Sequence, residues 1–128
     1  MLAHAKPTLD WPGYWFHEHL VRRQLYPVCR VAYERVALVG RSSEGPLRLT
    51  LDRNIRGVFA REWSFDALDG GFPFLTNQVI CEFKYQSFLP SLFKEIIQSM
   101  CLTPSPVSKY REFLRVYGNI GDREAIDA

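Results

Sequence analysis

At 128 residues, 47% of them hydrophobic and 14% aromatic, the chain is sized for one globular domain around one core, and its composition excludes a disordered polypeptide. A net charge of +2 is too small to imply nucleic acid by itself, although the Lys and Arg residues concentrate in strand-like segments. The three cysteines, Cys29, Cys81 and Cys101, have neither the even count of a disulfide framework nor metal-type spacing, and read as free thiols in a reducing cytoplasm.

Residues 1–26 read as an irregular lead-in carrying one short helix. Its start lacks the charged and apolar regions of a signal peptide, and no run in the chain is long enough to span a bilayer. Tyr14–Leu25 is predicted helical, burying Phe16 and Leu20 and stopping before Pro27. His17 and His19 stand two apart, which puts them on different helix faces and disfavours a metal pair.

Three segments then read as strands: Val28–Val39, Leu47–Ile55 and Val79–Tyr85. Gly40–Pro46 is a turn that joins the first two as a hairpin. Arg56–Arg61 continues the second as an edge or bent strand, and Ser64–Asn77 is loop-like around Asp69-Gly70-Gly71 and Pro73. Pro90–Cys101 has the clearest helical period, with Leu89, Leu92, Phe93, Ile96, Ile97 and Met100 in one apolar stripe that should cover the apolar side of the sheet. Thr103-Pro104-Ser105-Pro106 ends it, Ser108–Tyr117 is a final short helix, and residues 118–128 form a frayed polar tail.

Alternation inside the strands sorts their side chains. Leu47, Leu49 and Leu51 share one face, and Arg48, Thr50 and Asp52 the other; Ile80, Glu82 and Lys84 likewise share a side opposite Val79, Cys81, Phe83 and Tyr85. In the first strand Arg30 and Glu34 lie on one parity and Tyr33 and Arg35 on the other, so either arginine can join the polar face. If neighbouring strands align these faces, Arg48, Glu82, Lys84 and one of the two arginines converge. A surface of cations with a carboxylate among them suits phosphate oxygens plus a hard divalent metal. An antiparallel sheet with one solvated face accounts for the same alternation.

Five motifs occur in order: Tyr33-Glu34-Arg35, Leu47-Arg48-Leu49-Thr50-Leu51-Asp52, Cys81-Glu82-Phe83-Lys84-Tyr85, Leu89-Pro90 and Ser108-Lys109-Tyr110. Together, over about Pro27 to Tyr110, this series resembles the VTC domain, named after the vacuolar transporter chaperone and related to the CYTH or triphosphate tunnel metalloenzymes. The resemblance implies an α+β fold over residues 27–117 in which an antiparallel β-sheet forms half of a tunnel-type barrel with helices packed on its outer face. It further implies a lining of Arg, Lys and Glu that holds polyphosphate or a nucleoside triphosphate. Polymerase-type members transfer the terminal phosphoryl group of a nucleoside triphosphate to polyphosphate with Mn2+ or Mg2+.

Carried over by the resemblance, Arg35 and Arg48 match phosphate-binding arginines, which favours Arg35 over Arg30 for the polar face. Glu82 matches the metal-binding glutamate of an LE-K type strand, Lys84 is the neighbouring basic position, and Lys109 matches a lysine that contacts the phosphate chain. Arg35, Arg48 and Lys84 are thereby the implied catalytic residues, and these three with Lys109 the implied substrate ligands. Asp52 fits its motif without a role.

Two departures from the family pattern stand out. Pro46 and Pro106 occupy positions that are basic in polymerase-type members. Nothing in Met1–Tyr26 resembles the family's opening strands, so a C-terminal half of the tunnel is expected: a shortened protein, a late start on a longer reading frame, or one piece of a two-chain assembly. An open sheet invites pairing with a second copy or with a partner that supplies strands. The alternatives to a polymerase-like domain are a non-catalytic polyanion-binding module and a metal-dependent triphosphatase. Nucleic acid fits poorly, because stacking aromatics are scarce on the charged face.

Overall fold

The structure is a computed structural model that describes residues 8–124, with side chains described through residue 119. Helix α1, Tyr14–Arg23, ends where Gln24 turns to a left-handed φ of 51° and the last carbonyls are closed by the Gln24 and Leu25 N–H groups. Arg22 and Arg23 sit in its final turn, where the helix dipole favours positive charge. No residue of α1 is fully buried.

Strands β1, Cys29–Ser42, and β2, Gly45–Phe59, form one long antiparallel hairpin. Its turn is just Ser43 and Glu44, with the Ser42 hydroxyl accepting the Glu44 N–H at 3.1 Å and Gly45 at a φ of +118° that favours glycine. Both strands therefore run further into 40–46 than the glycine and proline there suggest. Arg56–Phe59 continues β2, as its apolar and β-branched residues anticipate.

Asn54 interrupts the alternation. Its φ of +51° marks a bulge, and the β1–β2 register shifts by one residue between Glu34–Arg53 and Ala32–Arg56. Asparagine tolerates this left-handed conformation better than most side chains do. The extra residue changes the parity of β2, so that Ile55, Gly57 and Phe59 come to the same face as Asp52.

Strand β4, Ile80–Lys84, pairs antiparallel with the first half of β2, and the two-residue β3, Phe72–Pro73, with its second half. The result is an open antiparallel sheet with β2 in the middle and β1 at one edge. One face is apolar, with Leu38, Leu49 and Phe83 in one cross-strand row and Val36, Leu51 and Cys81 in the next. Helix α2, Ser91–Ser99, reaches this outer face through buried Phe93, whose ring meets Phe83 edge-on at 4.9 Å. Its expected stripe is wider than what it covers, because Leu92 and Met100 remain more than half exposed.

Helix α3, Lys109–Glu124, lies on the opposite face and is longer than the Ser108–Tyr117 helix expected, continuing through Gly118 and Gly121. The last four residues of the anticipated tail fall outside the described residues. Ser108 precedes the helix and its hydroxyl accepts the Arg111 N–H at 3.4 Å. One turn in, fully buried Phe113 packs on Ile55 and Phe74 and meets the Phe59 ring at a tilt, centroids 5.1 Å apart, while the Tyr117 hydroxyl donates to the Pro73 carbonyl at 2.7 Å. The charged face is thus divided, with α3 covering an apolar half and leaving the other half open.

Gly57 permits that packing, since a Cβ there would come within 2.5 Å of the Phe113 ring. Gly57→Ala should therefore lower stability by about 1–3 kcal/mol through overpacking. Gly40→Ala, with no neighbouring atom within 4 Å, should leave the urea midpoint essentially unchanged. Equal midpoints for the two variants would contradict the packing described.

Candidate functional site

The two-residue turn sets Arg35 opposite Asp52. The guanidinium grips the carboxylate with both arms: Nε donates to Oδ1 at 2.6 Å and Nη2 to Oδ2 at 2.8 Å. Lys109, the first residue of α3, brings Nζ to Oδ2 at 2.6 Å. The Tyr33 ring lies beside both cations, with the Arg35 Cζ 4.9 Å and the Lys109 Nζ 4.5 Å from its centroid.

Asp52 is fully buried, and its charge is tolerable there because three charge-assisted contacts replace water. The Arg35 hydrogen bonds, opposed by burial and reinforced by Lys109, hold its pKa down to about 2. The same bonds raise the Arg35 pKa above its ordinary value. The trio carries one net positive charge.

Further along the face, Arg48 stands opposite Lys84 and Thr50 opposite Glu82. The like pair gains little from its cross-strand neighbour. The Lys84 Nζ lies 3.4 Å from Glu82 Oε1, and the Thr50 hydroxyl donates to Oε2 at a long 3.5 Å. Both ends of the Lys84–Glu82 pair are about half exposed, so water competes and the contact is weak. Arg48 and Asp52 stand four positions apart on β2, roughly 13 Å.

Arg35, Arg48, Glu82 and Lys84 therefore share one sheet face, and α3 delivers Lys109 to it. Arg30 does not join them. Its Nη1 donates to the Ser64 hydroxyl at 2.9 Å, and its register partner is Val58, on the other side. What the strand pattern did not supply is Asp52 as the hub. The turn length was the missing signal, because counting outward from Ser43 and Glu44 pairs Arg35 with Asp52.

The two carboxylates differ in what they can bind. Both oxygens of Asp52 are taken by cations, which leaves it unsuited to a metal. Glu82 is exposed and loosely held, and magnesium needs few protein carboxylates because it keeps water and phosphate ligands. Among the described residues no group of three or more His, Cys, Asp or Glu side chains is placed to hold a metal. Of the two carboxylates, Glu82 is the one whose oxygens a ligand can reach from solvent. A recess of about 600 Å³ opens beside Asn54, lined in part by Arg53, Arg56 and Asn77. It contains none of the five predicted residues.

The family model of the VTC domain matches residues 9–117, a span that contains all five residues and Asp52. No curated protein and no solved structure matches the chain. No described helix is long and apolar enough to cross a membrane.

Because the folded pKa of Asp52 lies below its ordinary 3.8, its contribution to stability is complete above that value and is lost as pH falls through about 2. The stability difference between wild type and Asp52→Asn should be about 2 kcal/mol at neutral pH and shrink toward zero at the acid end. Urea unfolding of both proteins across this range measures it. A difference that does not change with pH would exclude a buried, paired carboxylate.

Proposed function

Since the chain belongs to the VTC domain family, we propose that its charged face binds the phosphates of polyphosphate or a nucleoside triphosphate, through Arg35, Arg48, Lys84 and Lys109. The observation that carries this reading is the arrival of four cations from β1, β2, β4 and α3 on one face, Arg35 and Lys109 on buried Asp52 and Arg48 and Lys84 beside exposed Glu82. Guanidinium and ammonium groups on a fixed sheet suit phosphate oxygens, and the absence of a strong internal partner for Arg48 among the described residues leaves its charge available to a ligand.

The chemistry we assign is phosphoryl transfer from a nucleoside triphosphate to polyphosphate. Such a transfer asks the protein for positioning and charge stabilisation rather than for covalent chemistry. Arg35, Arg48 and Lys84 would hold the phosphates in line and neutralise charge on their oxygens. Glu82 would hold Mn2+ or Mg2+ jointly with phosphate, and the ion would supply further neutralisation of phosphate charge. We place the protein in the cytoplasm, where three free thiols and nucleoside triphosphates coexist.

The open sheet favours a second reading, binding without turnover by this chain alone. Among the described residues β1 is paired on one side only, and Val36 and Leu38 on it are about half exposed. We propose that a second copy or another chain supplies strands against that edge. A concentration-independent monomer by light scattering, with turnover intact, would contradict this.

Incubation with ATP and Mn2+, reading out polyphosphate, released phosphate and tripolyphosphate binding together, tests the assignment. Polymer supports transfer, binding alone supports the second reading, and phosphate alone indicates water as the acceptor. Arg48→Ala and Lys84→Ala should each weaken tripolyphosphate binding about tenfold, or ~1.4 kcal/mol. Glu82→Ala should abolish turnover while sparing most of the binding. Unchanged affinity in both cation variants would refute the site.

A further inference from the structure

We infer that Asp52 is a positioning residue, holding Arg35 and Lys109 in the one arrangement that presents their remaining N–H groups to phosphate. This deepens the phosphate-binding reading and rests on it. Asp52 is fully buried, so it meets no ligand itself. Its Oδ1 accepts from Arg35 Nε, and its Oδ2 from Arg35 Nη2 and Lys109 Nζ. Those contacts use only part of each cation. Arg35 keeps Nη1 and one hydrogen of Nη2, and Lys109 keeps two ammonium hydrogens. The Tyr33 ring against both cations restricts their movement on another side.

Two long side chains with many rotamers are thereby ordered before a ligand arrives, which removes part of the entropy loss of binding. The two cations come from elements far apart in the chain, β1 and α3, and Asp52 on β2 is the carboxylate to which both donate. Its charge works in the opposite direction. A carboxylate behind the cations lowers the pull of the site on any anion, so selection for anion attraction alone would disfavour it. Charge and geometry therefore predict opposite consequences for Asp52→Asn, and salt separates them, because long-range repulsion is screened at high ionic strength while hydrogen-bond geometry persists.

The experiment is calorimetric titration of tripolyphosphate into the full chain at roughly 0.5 M salt, where the screening length is well below 8 Å. Wild type, Asp52→Asn, Arg35→Ala/Lys109→Ala and the triple variant are compared, each checked for native circular dichroism. Positioning predicts that Asp52→Asn binds about tenfold more weakly than wild type, and that the same change has no effect once both cations are gone. A folded Asp52→Asn protein that binds as well as wild type overturns the inference, as does an equal loss in the background lacking the cations. Nitrogen-15 relaxation at Arg35 Nε gives a reading on wild type alone, which stands even if the variant does not fold. Order comparable to the backbone supports the inference, and a freely moving guanidinium overturns it. Failure of wild type to bind tripolyphosphate would instead defeat the phosphate reading, with the Arg35 Nε order deciding separately whether Asp52 holds the side chain.

Discussion

Strand register governs this molecule more than any single contact does. The turn at Ser43 and Glu44 fixes which residues of β1 and β2 face each other, and the bulge at Asn54 then reverses the parity of β2. Before the bulge, the inner face receives Arg48, Thr50 and Asp52. After it, the same face receives Ile55, Gly57 and Phe59. One strand thus supplies a polar and an apolar half to one surface, and α3 spans the division with Lys109 on the carboxylate and Phe113 over Gly57.

Gathering cations on a sheet is unfavourable unless something compensates, and the two ends of the face are compensated differently. Arg35 and Lys109 are neutralised in part by a buried carboxylate with short, well-formed hydrogen bonds. Arg48 and Lys84 face each other, and among the described residues a loose, solvent-exposed glutamate is the acidic group beside them. Local rules for cross-strand pairs argue against that second arrangement. Conflict of this kind is expected where a surface serves a ligand rather than the fold. The first end contributes rigidity, and the second contributes unsatisfied charge.

Much of this was readable from residue order. The leucine and arginine parities of β2 and the charged side of β4 follow from period-two spacing and hold, while the period-3.6 stripe of α2 holds as a helix but is buried only at Phe93. The choice between Arg30 and Arg35 did not follow from spacing, because both parities of β1 carry charge; the family resemblance favoured Arg35, and the register agrees. Turn limits were blurred because Gly40 and Pro46 both look like punctuation, although only Ser43 and Glu44 leave the ladder. The bulge was invisible because an asparagine in a strand does not announce a positive φ. Helix α3 was cut short by reading Gly118 as a stop, and its place on the charged face depends on Gly57 making room for Phe113, a long-range fit that no local pattern encodes.

The reversal at Asn54 also bears on how the gene can drift. Losing that codon would leave regular alternation with Ile55, Gly57 and Phe59 still on the face of Asp52, whereas losing a paired residue such as Arg56 would swing Gly57 and Phe59 outward, stripping Phe113 of its seat while Arg35 and Asp52 still met. By contrast, the irregular Ala60–Gly71 connection carries no such phase, so codons can come and go there with little consequence for either half of the face. Length variation among descendants of this sequence should accordingly collect between β2 and β3 and spare the hairpin.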